Sequence, residues 1–209
     1  KYVAQTGKPM IISTGMANSE EIQEAIEAAR EGGCKELAIL HCVSSYPAPA
    51  GDYNLRTLFD MKKKFGLVTG LSDHTINNTT ANTSIAMGAS IIEKHVTLDR
   101  NGGGPDDSFS LEFAELKDLC IASKIAWESL GKVDYGIKSS EKGSVKFRRS
   151  LYFVRDIKAG EIITDEHVKS IRPGYGLHPR YLNEIIGKRS KYSIVKGTAV
   201  TDLNKGEKV

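Results

Sequence analysis

Cysteine is scarce in this chain and never paired in sequence: Cys34, Cys42 and Cys120 are odd in number and far apart, with no CxxC spacing. That excludes a disulfide framework and a thiolate metal site, and leaves three buried or half-buried thiols as the expectation. Aromatic residues make up 7% of the 209, with a single Trp. Charge of one sign is lacking too, since 29 Lys and Arg against 26 Asp and Glu leave a net +3. Dispersed basic residues with few aromatics exclude a nucleic-acid surface, and the small excess gives only a slight bias towards an anionic substrate. No apolar run reaches the length of a membrane span and no signal peptide opens the chain, so a cytoplasmic protein with no membrane partner is expected. The sequence opens on Lys1 rather than Met, as a fragment would.

What is present is a rhythm. An apolar run over 8–16 ends in Ser13-Thr14-Gly15, and Asn18 or Ser19 then caps a helix over 20–31 that stops at Gly32-Gly33. A strand over 36–42 runs into a loop stiffened by Pro47 and Pro49, and a helix follows over 55–64. Strand character at 65–71 leads to His74, helical period at 79–87 leads to a strand at 89–93 and His95, and a glycine loop then leads to a last helix over 111–130. The class is α/β: four strand-helix units, either an open parallel sheet or half of a (β/α)8 barrel, which takes roughly 250 residues when whole. A half barrel would leave two sheet edges and an apolar inner face open. From 131 to 145 the chain is polar and punctuated by glycine, the pattern of a linker. Short apolar runs between glycine turns over 146–209 predict a small, mostly β module. The expected domains are therefore 1–130 and 146–209.

The chemistry gathers between Gly70 and Ser110. Ligands bind where the loops leave the carboxyl ends of parallel strands, and His74 and His95 each sit at such an end. Alternation puts Glu93 and His95 on one face and Lys94 on the other. Two neutral imidazoles from adjacent strands, with carboxylates nearby, can hold a divalent cation and leave coordination positions open. The competing readings are plain: a lone histidine is most often a satisfied structural residue, Glu93 could pair with a base on a neighbouring strand, and Asp106 could be an ordinary turn residue after Pro105.

Five ordered motifs resemble those of the sialic acid synthase family: Lys8-Pro-Met-Ile-Ile-Ser-Thr-Gly-Met16, His41-Cys42 with Tyr46-Pro-Ala-Pro49, Gly70-Leu-Ser-Asp-His-Thr75, Glu93-Lys-His95 and Gly104-Pro-Asp106. Asp156-Ile-Lys-Ala-Gly160 and Arg172-Pro-Gly174 resemble the SAF (antifreeze-like, β-clip) domain that follows the barrel in that family. The resemblance implies the C-terminal half of a TIM barrel followed by an SAF domain, with the barrel's first half and its phosphate-binding lysines upstream of Lys1. It implies a synthase that condenses phosphoenolpyruvate with an amino sugar.

Ser108-Phe-Ser110 and the run from Arg172 to Pro179 look most like the pseudaminic acid branch, whose sugar is a 2,4-diacetamido-2,4,6-trideoxy hexose. N-acetylneuraminate or legionaminate synthesis is the alternative, and a non-catalytic carbohydrate-binding or assembly module a further one. By the same resemblance His74 and His95 hold Mn2+, Mg2+ or Co2+, and Glu93 joins them as a catalytic residue. Ser13 and Ser72 contact phosphate or carboxylate, Tyr46, Ser44 and Asp106 contact the sugar, and Arg172 reaches from one subunit of a domain-swapped homodimer into the barrel of its partner. Ser44 departs from the Asn of some members and Val96 from the usual Phe.

Overall fold

Four apolar segments, Met10–Ser13 (β1), Leu37–Cys42 (β2), Val68–Asp73 (β3) and Ile92–Lys94 (β4), pair in chain order as one parallel sheet. They belong to a computed structural model that describes residues 1–202 and 204–207. Its two units are Lys1–Val133 and Asp134–Val209. Ser13 stands level with Leu40, Cys42 with Ser72, and Ser72 with Glu93. Level residues of a parallel sheet share a face, so Ser13, Leu40, Cys42, Ser72 and Glu93 look to one side.

The helices Ser19–Glu31 (α1), Thr57–Phe65 (α2), Thr79–Ala86 (α3) and Phe113–Leu130 (α4) supply the layer on the other side. Ile39 packs there with Ile26 and Ala29 of α1 and Met61 of α2, and Ile92 packs with Ala81 of α3 and Leu119 of α4. The result is the half-barrel sheet of the expected α/β class. Its edges are β1 and β4, and Ile11 and Val68 on the inner face are half exposed. Gly70 closes that face: a Cβ there would stand 2.5 Å from the Ile91 carbonyl and 2.6 Å from the fully buried Leu40 side chain.

Element ends depart from expectation for local reasons. Asn18 is the N-cap of α1, accepting from the amides of Glu20 and Glu21 while Glu21 returns a bond to the Asn18 amide. α2 begins at Thr57 rather than 55, because a 3-10 turn over Ala50–Tyr53 and a left-handed Asn54 precede it. β4 begins at Ile92 rather than 89, since the Ala89 amide is still bonded to the Ser84 carbonyl at the end of α3. α4 begins at Phe113 rather than 111, because Leu111 bridges to Val96 and its amide bonds to the His95 carbonyl.

Two expectations are corrected. Cys34 and Cys42 are buried, but Cys120 is exposed: Leu119 takes the core-facing position of α4, and the next residue is turned about 100° away. Residues 139–145, read as irregular linker, form with Lys146 and Phe147 a 3-10 helix, Ser139–Phe147.

The second unit has an antiparallel pair, Ser150–Phe153 (β5) and Val168–Ile171 (β6), extended by isolated bridges such as Ile157 to Ile194 and Ile162 to Arg189. Leu151, Phe153, Ile163, Val168 and Val200 form its core, capped by a short helix, Leu182–Ile185 (α5). Among the described residues no helix is long and apolar enough to cross a membrane.

Candidate active site

The inner face of β3 continues past Ser72 to His74, and that of β4 past Glu93 to His95. The two imidazole centroids lie 5.2 Å apart with planes inclined at 62°. His74 is buried, His95 half-buried. The Nδ1 of His74 is 2.8 Å from the Val43 carbonyl. A carbonyl can only accept, so Nδ1 carries the proton and Nε2 keeps its lone pair, the form of imidazole that ligates a metal. Asp106 Oδ2 stands 3.6 Å from the His95 Nδ1 and favours the same tautomer there. Among the described residues no group of three or more His, Cys, Asp or Glu side chains surrounds a common point. The arrangement fits a divalent cation with two protein nitrogens, the remaining positions being left to water and substrate.

Ser72, His74, Glu93, Lys94 and His95 line a cleft of about 250 Å³. Ser72 donates to Glu93 Oε1 at 2.8 Å, so the partner of Glu93 is a hydroxyl and not a base on a neighbouring strand. The cleft has an aromatic wall: the Tyr46 ring lies 4.3 Å from His74 and 5.8 Å from His95, and Phe109 lies 5.2 Å from His95 and 5.5 Å from Tyr46. Phe109 is buried and Tyr46 half exposed.

The expected site residues are thus brought together unevenly. His74, His95, Glu93, Ser72, Tyr46 and Asp106 form one cluster. Ser44 stands nearer β1, its Oγ 3.6 Å from where a Cβ on Gly15 would be, and Ser13 is exposed at the end of the edge strand β1. Arg172 belongs to the second unit, exposed just beyond β6.

Three supporting features, two single residues and one ion pair, had no role in the sequence reading. Tyr53 is fully buried; its Oη accepts from the His74 amide at 2.6 Å, and its carbonyl accepts from His41 Nε2 at 2.6 Å. Burial pushes its phenol well above the ordinary value. Asp107 fills the glycine loop: Oδ1 accepts from the Thr97 hydroxyl at 2.7 Å and Oδ2 from the Gly104 amide at 2.7 Å. The Thr97 hydroxyl first, and then that amide, hold its carboxyl below the ordinary value. Lys94 and Asp73 form an ion pair at 2.9 Å on the helix side of the sheet, both side chains almost wholly buried. The one signal for this pair was the matched dipeptides Asp73-His74 and Lys94-His95, of opposite charge before each histidine.

Comparison with known proteins agrees with this architecture. The chain is 38% identical to a pseudaminic acid synthase of Campylobacter jejuni, over 97% of its own length and 59% of the relative's. It is 39% identical to an N,N'-diacetyllegionaminic acid synthase of the same species, over 90% of its length and 57% of the relative's. The chain therefore spans about three fifths of the length of the curated relatives it matches. Among solved structures, the spore coat polysaccharide biosynthesis protein SpsE of Bacillus subtilis superposes with a TM-score of 0.59 at 31% identity, covering 100% of this chain and 64% of that one. Residues 148–208 match the SAF domain. Residues 1–135, which hold the parallel sheet and both histidines, match the NeuB family, and it is to the NeuB family that the chain belongs.

Proposed function

We propose that this chain carries part of the active site of a synthase that joins phosphoenolpyruvate to a 2,4-diacetamido-2,4,6-trideoxy hexose, giving pseudaminic acid and phosphate. The observation that carries the reading is the pair of imidazoles at the carboxyl ends of β3 and β4, with Glu93 on the same face and the proton of His74 committed to the Val43 carbonyl. In the reaction the enol carbon of phosphoenolpyruvate adds to the sugar aldehyde carbon, water adds at C2, and the bond from C2 to the phosphate oxygen breaks. His74 and His95 would hold Mn2+, Mg2+ or Co2+, which when bound would supply Lewis-acid polarisation of the aldehyde and a place for water.

This chain's own side chains do the rest. Ser72 fixes one oxygen of Glu93 and leaves the other to accept a sugar hydroxyl or a proton in the cleft. Tyr46, leaning on His74, and Asp106, beside His95, contact the sugar, with Ser44 at the flank. Ser13 offers a hydroxyl to the anionic end of phosphoenolpyruvate. Phe109 gives the apolar wall that a C6 methyl prefers to a hydroxymethyl. Arg172 serves the sugar site of a partner subunit in a homodimer.

A legionaminic reading is the alternative, favoured by an identity to a legionaminic acid synthase as high as that to the pseudaminic one. Phosphate release with each sugar, in the presence of Mn2+ and phosphoenolpyruvate, tests the choice on the polypeptide that carries these residues. Higher kcat/KM with the pseudaminic precursor supports the proposal. Preference for the legionaminic precursor or N-acetylmannosamine overturns the sugar assignment, and no phosphate release with any sugar overturns the synthase reading. Discrimination by one apolar group is modest, about 1–3 kcal/mol.

A further inference from the structure

We propose that Lys94 is a positioning residue, and that its buried ion pair with Asp73 sets the separation and aim of His74 and His95 from the opposite side of the sheet. Asp73 immediately precedes His74, Lys94 immediately precedes His95, and the two stand level across β3 and β4. Their side chains leave the sheet on the helix side, so the pair acts on the histidines through one peptide link each.

The contacts go further than a simple pair. Lys94 Nζ donates to Asp73 Oδ2 at 2.9 Å, to the Thr75 carbonyl at 2.7 Å and to the Asn77 carbonyl at 3.1 Å. Asp73 Oδ1 accepts from the Thr75 amide at 2.8 Å. One ammonium on β4 therefore spends all three protons on β3 and on the loop leaving His74. A severed contact would release that loop and the strand spacing together. The His95 ring has greater need of such fixing than His74, because the carboxylate beside its Nδ1, Asp106, is 3.6 Å away and exposed.

Stability alone does not explain the pair. Two apolar residues of similar volume often stabilise a core as well as a buried ion pair or better, and in some proteins such pairs are kept for the geometry they impose. Here that geometry is the gap between two ring nitrogens. In metal sites the partners that orient the ligands typically govern affinity by about 10–100-fold.

The inference rests in part on the metal reading above, and the test separates the two. Mn2+ binding to the 209-residue chain is followed by loss of the free-ion electron paramagnetic resonance signal, and long-range proton–nitrogen spectra of the histidine rings are recorded on the metal-free chain. Lys94→Met is compared with Ile26→Ala, which removes buried side-chain volume in the α1 layer, away from β3 and β4. Lys94→Met is expected to move the ring signals of both His74 and His95 and to weaken Mn2+ binding tenfold or more, while Ile26→Ala leaves the rings in place and binding within twofold. Ring signals of Lys94→Met that superimpose on those of the parent, or that Ile26→Ala moves equally, overturn the positioning role whatever the metal result. Absence of Mn2+ binding by the parent chain overturns the metal reading alone, and the ring spectra still decide the role of Lys94. Should Lys94→Met fail to fold, Asp73→Asn, isosteric and with both carbonyl contacts of Lys94 intact, carries the same comparison.

Discussion

His74 gives its Nδ1 proton to the Val43 carbonyl across 2.8 Å, and this single bond decides which nitrogen faces the cleft. If Nε2 of His74 and of His95 are ligands, replacing either histidine by Ala should weaken Mn2+ binding by on the order of 100-fold, at least the effect of losing a partner that merely orients a ligand. The fold should survive, since neither ring belongs to the clustered hydrophobic core. Titration with Mn2+ alongside circular dichroism separates lost binding from lost structure. Unchanged affinity in both variants would remove the histidines from the metal site.

Tyr53→Phe should cost about 1–3 kcal/mol of stability, because the buried His74 amide loses its acceptor. Denaturant unfolding gives that value directly. The mutant should also show faster hydrogen exchange at His74 than at Leu71, whose amide is bonded to the Ile91 carbonyl and does not depend on Tyr53.

The glycine loop should respond to acid through Asp107. Its carboxyl is held below the ordinary 3.8 by the Thr97 hydroxyl and the Gly104 amide. A carboxyl depressed in the folded state contributes order that is complete above its unfolded value and is lost as pH falls through the lower folded value. The Gly104 amide should therefore stay protected above about pH 4 and lose protection below it. Asp107→Asn should remove that pH dependence, with Gly104 exchange read by nuclear magnetic resonance. The same acid limb in the Asn variant would assign the transition to another group.

In a homodimer of the proposed kind, Arg172→Ala should raise KM for the sugar by roughly 10–100-fold, the worth of one or two charge-assisted hydrogen bonds, with KM for phosphoenolpyruvate little changed. Mixing His95→Ala subunits with Arg172→Ala subunits should restore activity, since one site in each mixed dimer then has both groups intact. Mixed dimers that form and stay inactive would place Arg172 outside the partner's site.

Much of the half barrel was legible because its signals are local: an Asn and Glu around the start of α1, glycines after helices, and apolar runs of strand length. The histidine pair was legible because strand ends can be counted. Tyr53 was not, since its value lies in bonds to His74 and His41, 21 and 12 positions away, and no periodicity announces a phenol aimed at a backbone amide. The ion pair was half legible: alternation placed Lys94 away from Glu93, but only the register of β3 against β4 brings Asp73 level with it. Cys120 escapes the burial usual for thiols because its neighbour Leu119 takes the core position of α4, which no feature of the cysteine itself announces.

Because β4 presents Glu93 to the cleft and Lys94 to the helices, its length is constrained more tightly than its composition. Deleting or inserting one residue between Ala89 and Ile92 would exchange the two faces, thrusting the ammonium into the cleft and the carboxylate towards Ala81 and Leu119. Related chains should therefore tolerate apolar replacements at Ile91 and Ile92 but keep the spacing from Gly88 to His95 unchanged. Length variation should collect instead in exposed stretches such as residues 131–138, where added residues turn no strand over.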